Sequence, residues 1–548
     1  LVSIPRPVSS PMRYLLTRKG LIVALALPLI LPPALAGQRF YPDDPLWSEP
    51  LPTDIEDAAE RELSDIYDYF LYTFTSPEER HEDVQAEIRA QAVNTLGEPL
   101  DSQWFTNRIG RREMTIEELV RGPGDDHPPT PGGRWTIVSA KNEGHTPGFV
   151  IEDEEGERFV FKFDPKKHPE MASGADYLGS RFFHALGYWV PQNYLVEFRP
   201  EDLEVRAGVT ITDPGGRVRQ MLPSDVAWIL ENTPKRPDGR VRALASRYLK
   251  GKPLGGFRYH DTRDDDPDDI VPHEHRRDLR GLYVFASWLG HDDSRGVNTL
   301  DMLVEEGGRK FIRHHLIDFG SLLGSASEEP NSPRGGHEYL YDPAYMFREI
   351  FSLGLYAPRW YTHDYAKYPS VGLFEYEIYR PDEWKPEYRN PAFTNRLPDD
   401  TYWAAKKVVA FSDEMLEALI DSARYSDPEA AAWLLTCLKE RRDRIGREYF
   451  SRVLPLDGFR VREGRLEYEH LAERYGYWAA PEIRVTWSEF DNEAESHRAL
   501  EASGADVPGS TAEYLAAKLV GDDPRKTVTV YLRGIGMERE VVGIERDW

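Results

Sequence analysis

"GHDDSRGVNTLDMLVEEGGRKFIRHHLIDFGS" (residues 290–321) sets His291, Asp293, Asn298 and Asp318 in a fixed order around a patterned spacer. The spacer alternates at Leu300, Met302 and Val304, breaks at Gly307-Gly308, then resumes as an extended run ending at Asp318. That pattern predicts a β-hairpin closed by a two-glycine turn. The stretch leads out of "PHEHRRDLRGLYVFASWLG", whose Leu279, Leu282, Ala286 and Leu289 recur at helical spacing and predict a buried-face helix. His314 and His315 fall within the second strand and read as strand residues, not metal ligands. His273 and His275 lack the spacing of a helical zinc motif and read as a helix-cap region.

Working outward, the segment from Trp135 to Phe198 predicts strands. Extended runs cover Trp135 to Lys141, Phe149 to Glu152 and Arg158 to Phe163, with a loop carrying Gly144 and Gly148 after the first. In the third run Phe159, Phe161 and Phe163 share one face, while Val160 and Lys162 share the other. A helix from about Pro169 to Leu186 and a strand from Tyr194 to Phe198 follow. Strand, glycine loop, strand, strand with Lys162, helix, strand, long helix, His-x-Asp-x₄-Asn, hairpin and Asp-Phe-Gly thus succeed one another.

In order and context this resembles the protein-kinase-like superfamily, over roughly Trp135 to Phe450. Its atypical members are the nearest in kind: the spore-coat CotH kinases, the HipA toxin kinases, secretory-pathway kinases and the aminoglycoside phosphotransferases. The resemblance implies a two-lobed α+β fold, with ATP and Mg²⁺ or Mn²⁺ as cofactors. It implies that Lys162 meets the α/β-phosphates, paired with Glu170 or Asp176, Glu170 being favoured. The loop residues Gly144, His145, Thr146 and Gly148 would cover the phosphates. Asn298 and Asp318 would hold the metal through hard oxygen ligands. Asp293 would orient and deprotonate a hydroxyl acceptor, His291 would support the loop, and Arg295 would contact the γ-phosphate. Two departures stand out: the glycine loop is not G-x-G-x-x-G, and no A-P-E follows Asp318 at the usual distance.

The rest of the chain bounds this reading. Its 548 residues suffice for two to four domains, and 13 Trp with 29 Tyr oppose wholesale disorder. A net charge of −26 disfavours nucleic acid and anionic lipid as partners; the partners that the resemblance implies are a nucleotide and a protein or small-molecule acceptor. Cys437 is the one cysteine, so no disulfide framework or cysteine zinc site forms within one chain. Its helical surroundings suit a buried small hydrophobe.

Near the N-terminus, Met12 looks like the natural start. Arg13, Arg18 and Lys19 precede an apolar stretch from Leu21 that is broken by Pro28, Pro32 and Pro33 and ends in Ala34-Leu35-Ala36. This is the pattern of a cleaved export signal, in preference to an uncleaved anchor, and it implies a periplasmic or secreted protein. No cysteine follows it, which excludes a bacterial lipoprotein.

The domain expectation is therefore a signal peptide (1–36), a helical extension (37–131), an N-lobe (132–200), a C-lobe (201–455) and a small α+β appendage (456–548). The extension should hold an amphipathic helix through Leu63, Ile66, Tyr67 and Phe70, and a second helix over Ser76 to Val93. "WFTNRIGRR" from Trp104 should dock on the lobes, and a helix is expected near Ala512 to Val520. The function expected is phosphoryl transfer from ATP to a hydroxyl. The alternatives are a pseudokinase that binds without transfer and a nucleotidyl transferase on the same lobes.

Overall fold

A computed structural model describes residues 37–75, 87–125, 127–130, 132–140, 148–212, 217–353, 355–536 and 538–548. The export-signal segment and the loop residues Gly144, His145 and Thr146 lie outside the described residues.

The first layer is an antiparallel sheet whose apolar face is aromatic. It takes β1 (Trp135–Ala140), β2 (Gly148–Glu152), β3 (Arg158–Lys162), β4 (Asn193–Phe198), β5 (Leu203–Val205) and, after a ribbon of β6 (Thr210–Thr212) and β7 (Val218–Gln220), β8 (Val241–Arg247). The order is β4-β8-β3-β2-β1-β5, with only β5 parallel to its neighbour. The strand periodicity holds in β3: Phe159 and Phe161 are buried with Phe163 against Trp135, Phe198 and the apolar side of a short helix. Two preceding helices, α1 (Asp65–Phe74) and α2 (Ile116–Arg121), and α3 (Met171–Leu186) come before that helix, α4 (Pro223–Glu231). Because β5 and β8 belong to this sheet, the lobe runs to about residue 247 rather than ending at residue 200.

The opposite face of β3 carries Lys162 and looks toward α3. That helix is buried at every position except His184, because it lies between the sheet and the helical core. The core's centre is α5 (Arg277–Leu289), all of whose residues are buried, packed on the later helices α9 and α11. The chain order there is α6 (Pro343–Phe351), α7 (Arg359–Thr362), α8 (Pro391–Thr394), α9 (Pro398–Val409), α10 (Asp413–Ser422) and α11 (Pro428–Phe450), the last enclosing Cys437. Arg277 on α5 is neutralised by Asp399 and Asp400 of α9, an arrangement that lets a guanidinium stay buried.

A second sheet forms from β9 (Lys252–Gly255), which precedes α5, and from β10 (Thr299–Glu306) and β11 (Arg309–Leu316), which lie between α5 and α6. Glu306 pairs with Arg309 around Gly307 and Gly308, whose φ values of 58° and 76° meet the demand of a two-residue hairpin turn.

The flanks depart from expectation. Among the described residues the 37–131 segment is mainly irregular, with α1 and α2 its only helices. Residues 87–93 of the expected second helix are not helical, with isolated bridges from Gln91 to Arg276 and from Val93 to Pro99. In α1, Ile66, Tyr67 and Phe70 face solvent while Asp68 and Tyr72 are buried. Trp104, Phe105 and Ile109 do dock, entering the main core.

The C-terminal region is nearly all strand: β12 (Leu456–Arg462), β13 (Arg465–His470), β14 (Arg484–Asp491), β15 (Ser496–Ser503), β16 (Tyr514–Val520), β17 (Thr527–Ile535) and β18 (Glu538–Asp547). The helix expected near Ala512 is β16. This central strand is covered on both sides, by Leu454 and Val530 on one and by Phe40 and Phe490 on the other. Double burial erases the polar alternation that marks a strand, leaving an alanine-rich apolar run that imitates a helix.

Helix α3 approaches the Asp-Phe-Gly segment through Gly179: a Cβ there would lie 2.4 Å from Phe319 Cβ and 2.5 Å from Leu322 Cδ1. Gly179→Ala should therefore lower stability in urea unfolding by about 1–3 kcal/mol through overpacking, although alanine's helix propensity returns up to about 1 kcal/mol. Gly509→Ala, where a Cβ meets nothing within 4 Å, should change it by less than about 0.5 kcal/mol. Equal effects at the two positions would refute the close approach.

Candidate active site

Four elements converge where the two layers meet. Strand β3 ends in Lys162, helix α3 presents Asp176 from its second turn, and the loop after α5 carries His291 to Asn298. The chain leaving β11 carries Asp318-Phe319-Gly320.

The Lys162 ammonium lies 2.7 Å from Asp176 Oδ2 and 2.8 Å from Asp318 Oδ1. Burial opposes its charge, but the two carboxylates outweigh burial and hold its pKa above the usual lysine value. Asp176 is the helix partner. Glu170, favoured on sequence, sits before α3 at a φ of 70° and instead pairs with Arg236 and accepts from Ser426. Its position ahead of the first turn turns it away from Lys162, whereas Asp176, although shorter, is already inside the cleft.

The second oxygen of Asp176 is also occupied. Oδ1 accepts from Asn193 Nδ2 at 2.8 Å and from the Phe319 amide at 3.4 Å. One carboxylate thus joins β3, β4, α3 and the Asp-Phe-Gly segment. Asn193 opens strand β4 and carries no motif, so nothing in its sequence context marks it.

Phe319 stacks on Phe183 of α3 at 5.0 Å, and its ring edge meets His291 at 6.2 Å. Asp318 adopts a φ of 60°, a left-handed conformation, while its side chain remains half exposed. Buried phenylalanine and half-exposed aspartate therefore point to opposite sides of one short segment. Gly148 faces Lys162 across the β2–β3 pairing, the described end of the loop expected to cover phosphates. The cleft between is lined by Lys162, Asp176, Leu244, Asp318, Gly320 and Ser327.

In the loop after α5, Asn298 Nδ2 donates to the Asp293 carbonyl at 2.8 Å, and Ile317 N donates to the Asn298 carbonyl at 3.0 Å. The second bond seats Asn298 beside the residue that precedes Asp318. His291 is buried and its imidazole is pushed down to about 4, so at neutral pH it carries no charge and serves as packing. Asp293 is raised above the usual carboxylate range by burial, with Arg295 opposing.

Arg295 is more heavily engaged than its sequence position suggests. It pairs with Asp293, with Glu387 at 3.2 Å and with Asp65 at 2.6 Å. Asp65 also accepts from Tyr388 Oη at 2.8 Å. Asp65 lies on α1, some 230 residues upstream, and no pattern near it signals the contact. The expectation that Arg295 faces a phosphate is corrected to this extent: in this structure three carboxylates occupy its guanidinium.

As for metal, Asp318 offers a carboxylate oxygen. Asn298, with its Nδ2 spent on Asp293, offers its carbonyl Oδ1. Hard oxygen donors of this kind fit Mg²⁺ or Mn²⁺.

Asp292, beside the candidate base, is buried, accepts from Asn331 Nδ2 at 2.7 Å, and is pushed up by burial to about 7 from 3.8. Between those two values the folded state holds a proton that the unfolded chain releases. Its contribution therefore declines as pH rises from about 4 to about 7. Asp292→Asn should remove that decline, so stability relative to wild type should improve from pH 5 to pH 7 by at most ~1.4 kcal/mol per pH unit. Parallel stability–pH curves for the two proteins would refute the assignment.

No family model matches the sequence, and no curated protein matches it. Among solved structures the chain is similar to the Helicobacter pylori proinflammatory kinase CtkA, at 13% identity over 59% of this chain and 99% of that one, with a TM-score of 0.31. It is similar to hydra Fam20, solved with sugar, at 12% identity over 62% and 96% of the two chains and a TM-score of 0.31. It is also similar to the Golgi casein kinase with Mn/ADP bound, at 11% identity over 62% and 74%, with a TM-score of 0.26. Superpositions this loose assign no residue and no activity to this chain. By its own geometry, with a strand lysine bound to a helix carboxylate and to Asp-Phe-Gly below a six-stranded sheet, the chain has an atypical protein-kinase-like fold.

Proposed function

We propose that this protein is an exported kinase-like phosphotransferase that moves the γ-phosphate of ATP to a hydroxyl acceptor. The observation that carries the reading is the Lys162 ammonium held between Asp176 and Asp318. Phosphoryl transfer is mainly positioning and charge neutralisation, and this arrangement fixes a cation at the inner end of a cleft with metal-competent oxygens beside it.

In this reading Lys162 meets the α/β-phosphates, and Asn298 and Asp318 hold a divalent cation, which supplies charge neutralisation for the phosphates. Asp293 accepts the acceptor's proton as the hydroxyl oxygen bonds to the γ-phosphorus and the bond to the β-phosphate oxygen breaks, releasing ADP. Its raised pKa suits a proton acceptor. Arg295 orients Asp293, itself anchored by Asp65 and Glu387. The same engagement of Asp293 by Arg295 is what favours the second reading, a nucleotide-binding protein without transfer. Export rests on the basic and apolar segment before Ala36. Sequencing the mature protein from an envelope or secreted fraction should give Gly37 first, and an intact segment 21–36 would remove the claim.

Nucleotide with metal at about 100-fold over its dissociation constant stabilises a folded protein by about 2.7 kcal/mol. Mg-ATP or Mn-ATP should therefore raise the melting temperature by several degrees, and Asp318→Asn should abolish the metal-dependent part. With ATP labelled at either the α- or the γ-phosphate, only γ-label should reach acceptor; α-label would mean nucleotidyl transfer. Asp293→Asn should keep the melting shift and lower transfer about 10²–10⁴-fold. A wild type that shows the shift and no transfer supports the second reading; no shift with any nucleotide overturns both.

A further inference from the structure

On the far side of the catalytic loop lies a second, larger pocket that plays no part in the cleft around Lys162. Its cavity volume is about 430 Å³, open to solvent, between α6 and the chain from Asp382 to Arg396. Its floor is tied to the loop, since Asn390 Nδ2 donates to the Ser294 carbonyl at 3.3 Å.

Four cations line it: Arg348, Arg359, Lys385 and Arg396. Two are neutralised, Arg359 by Glu383 at 2.7 Å and Lys385 by Asp342 at 2.6 Å. The other two pair with no carboxylate among the described residues. Arg396 lies 3.6 Å over the Tyr283 ring and donates to the Phe393 carbonyl, and Arg348 sits exposed over Tyr345 at 5.7 Å.

The walls are aromatic. Lys385 lies 4.8 Å over Tyr345, and Trp360 stacks flat on His337 at 4.8 Å. His337 is pushed down by burial and the neighbouring cations to about 3, so it adds an uncharged ring surface. Guanidinium groups bind planar oxyanions through paired N–H donors, and flat rings pack on aromatic faces. The volume suits a small molecule, not a polymer.

We propose that this pocket binds a small ring-bearing oxyanion, a phosphate or carboxylate carried on an aromatic or sugar ring, with Arg348 and Arg396 taking the oxygens. The site is separate from the nucleotide cleft and stands whether or not the chain transfers phosphate.

Calorimetric titration of the whole chain with phenyl phosphate, inorganic phosphate and phenol tests it. Phenyl phosphate should bind at least about tenfold more tightly than either fragment. Arg348→Glu and Arg396→Met should each weaken it about tenfold or more, and Lys162→Met should leave it unchanged. Arg348 is exposed on α6, so its variant keeps the test sound if Arg396→Met fails to fold. Equal binding of phenyl phosphate by wild type and Arg348→Glu would overturn the proposal. So would its loss in Lys162→Met, which would put the ligand in the other cleft.

Discussion

Lys162 sits between a helix carboxylate and the aspartate that follows the hairpin, and the rest of the site depends on that bridge. A buried ammonium is costly unless charge and hydrogen bonds surround it, and here two carboxylates supply both. The bridge is also geometric. Asp176 reaches it only because α3 lies flush on the Asp-Phe-Gly segment, and that approach is possible because Gly179 has no side chain to separate them. Phe319, stacked on Phe183, completes the seam. Charge pairing and close packing therefore enforce the same register between sheet, helix and loop.

The loop carrying Asp293 is held from the other side by the N-terminal segment. Asp65, on α1, takes Arg295 and Tyr388, while residues 104–109 of the same segment are buried in the helical core. Further upstream, Phe40 packs among Phe490, Tyr514 and Tyr531 of the C-terminal sheet. A segment that looks like an appendage in sequence thus links the C-terminal sheet to the loop carrying Asp293. The exposed apolar side of α1 follows from this role: the helix is placed by what Asp65, Asp68 and Tyr72 reach inward, not by an apolar stripe.

The parts of the site legible in the sequence were those whose chemistry and spacing are local. The His-x-Asp-x₄-Asn loop, the hairpin and the third strand with Lys162 each fit within a short window, and the alternation of Phe159, Phe161 and Phe163 gives the orientation of Lys162 directly. Partners chosen by tertiary distance were not legible. Glu170 and Asp176 differ by less than two helical turns, and only the position of α3 on the sheet decides between them. Asn193, Asp65 and Glu387 belong to no motif at all. In the fold, β16 imitates a helix in sequence because burial on both faces removes alternation, and α1 buries a different face from the expected one because helical spacing shows which residues align, not which side finds a partner.

The charge arithmetic at Lys162 bears on how a nucleotide would enter. One ammonium faces two carboxylates, so the cleft offers a phosphate chain no positive surplus of its own. Asp293 adds a further carboxylate nearby, and Arg295, which pairs with it, is already taken by three. In a chain of net charge −26 no long-range field compensates. Under the proposed function, attraction for a triphosphate would arrive with the ligand, as divalent cation, and Asp318 would be the group that both repels the bare anion and binds the cation. In the proposed function the half-exposed Asp318, left-handed in backbone and paired to Lys162 on one oxygen, would thereby be the point at which the cleft distinguishes a metal-bound nucleotide from a free one.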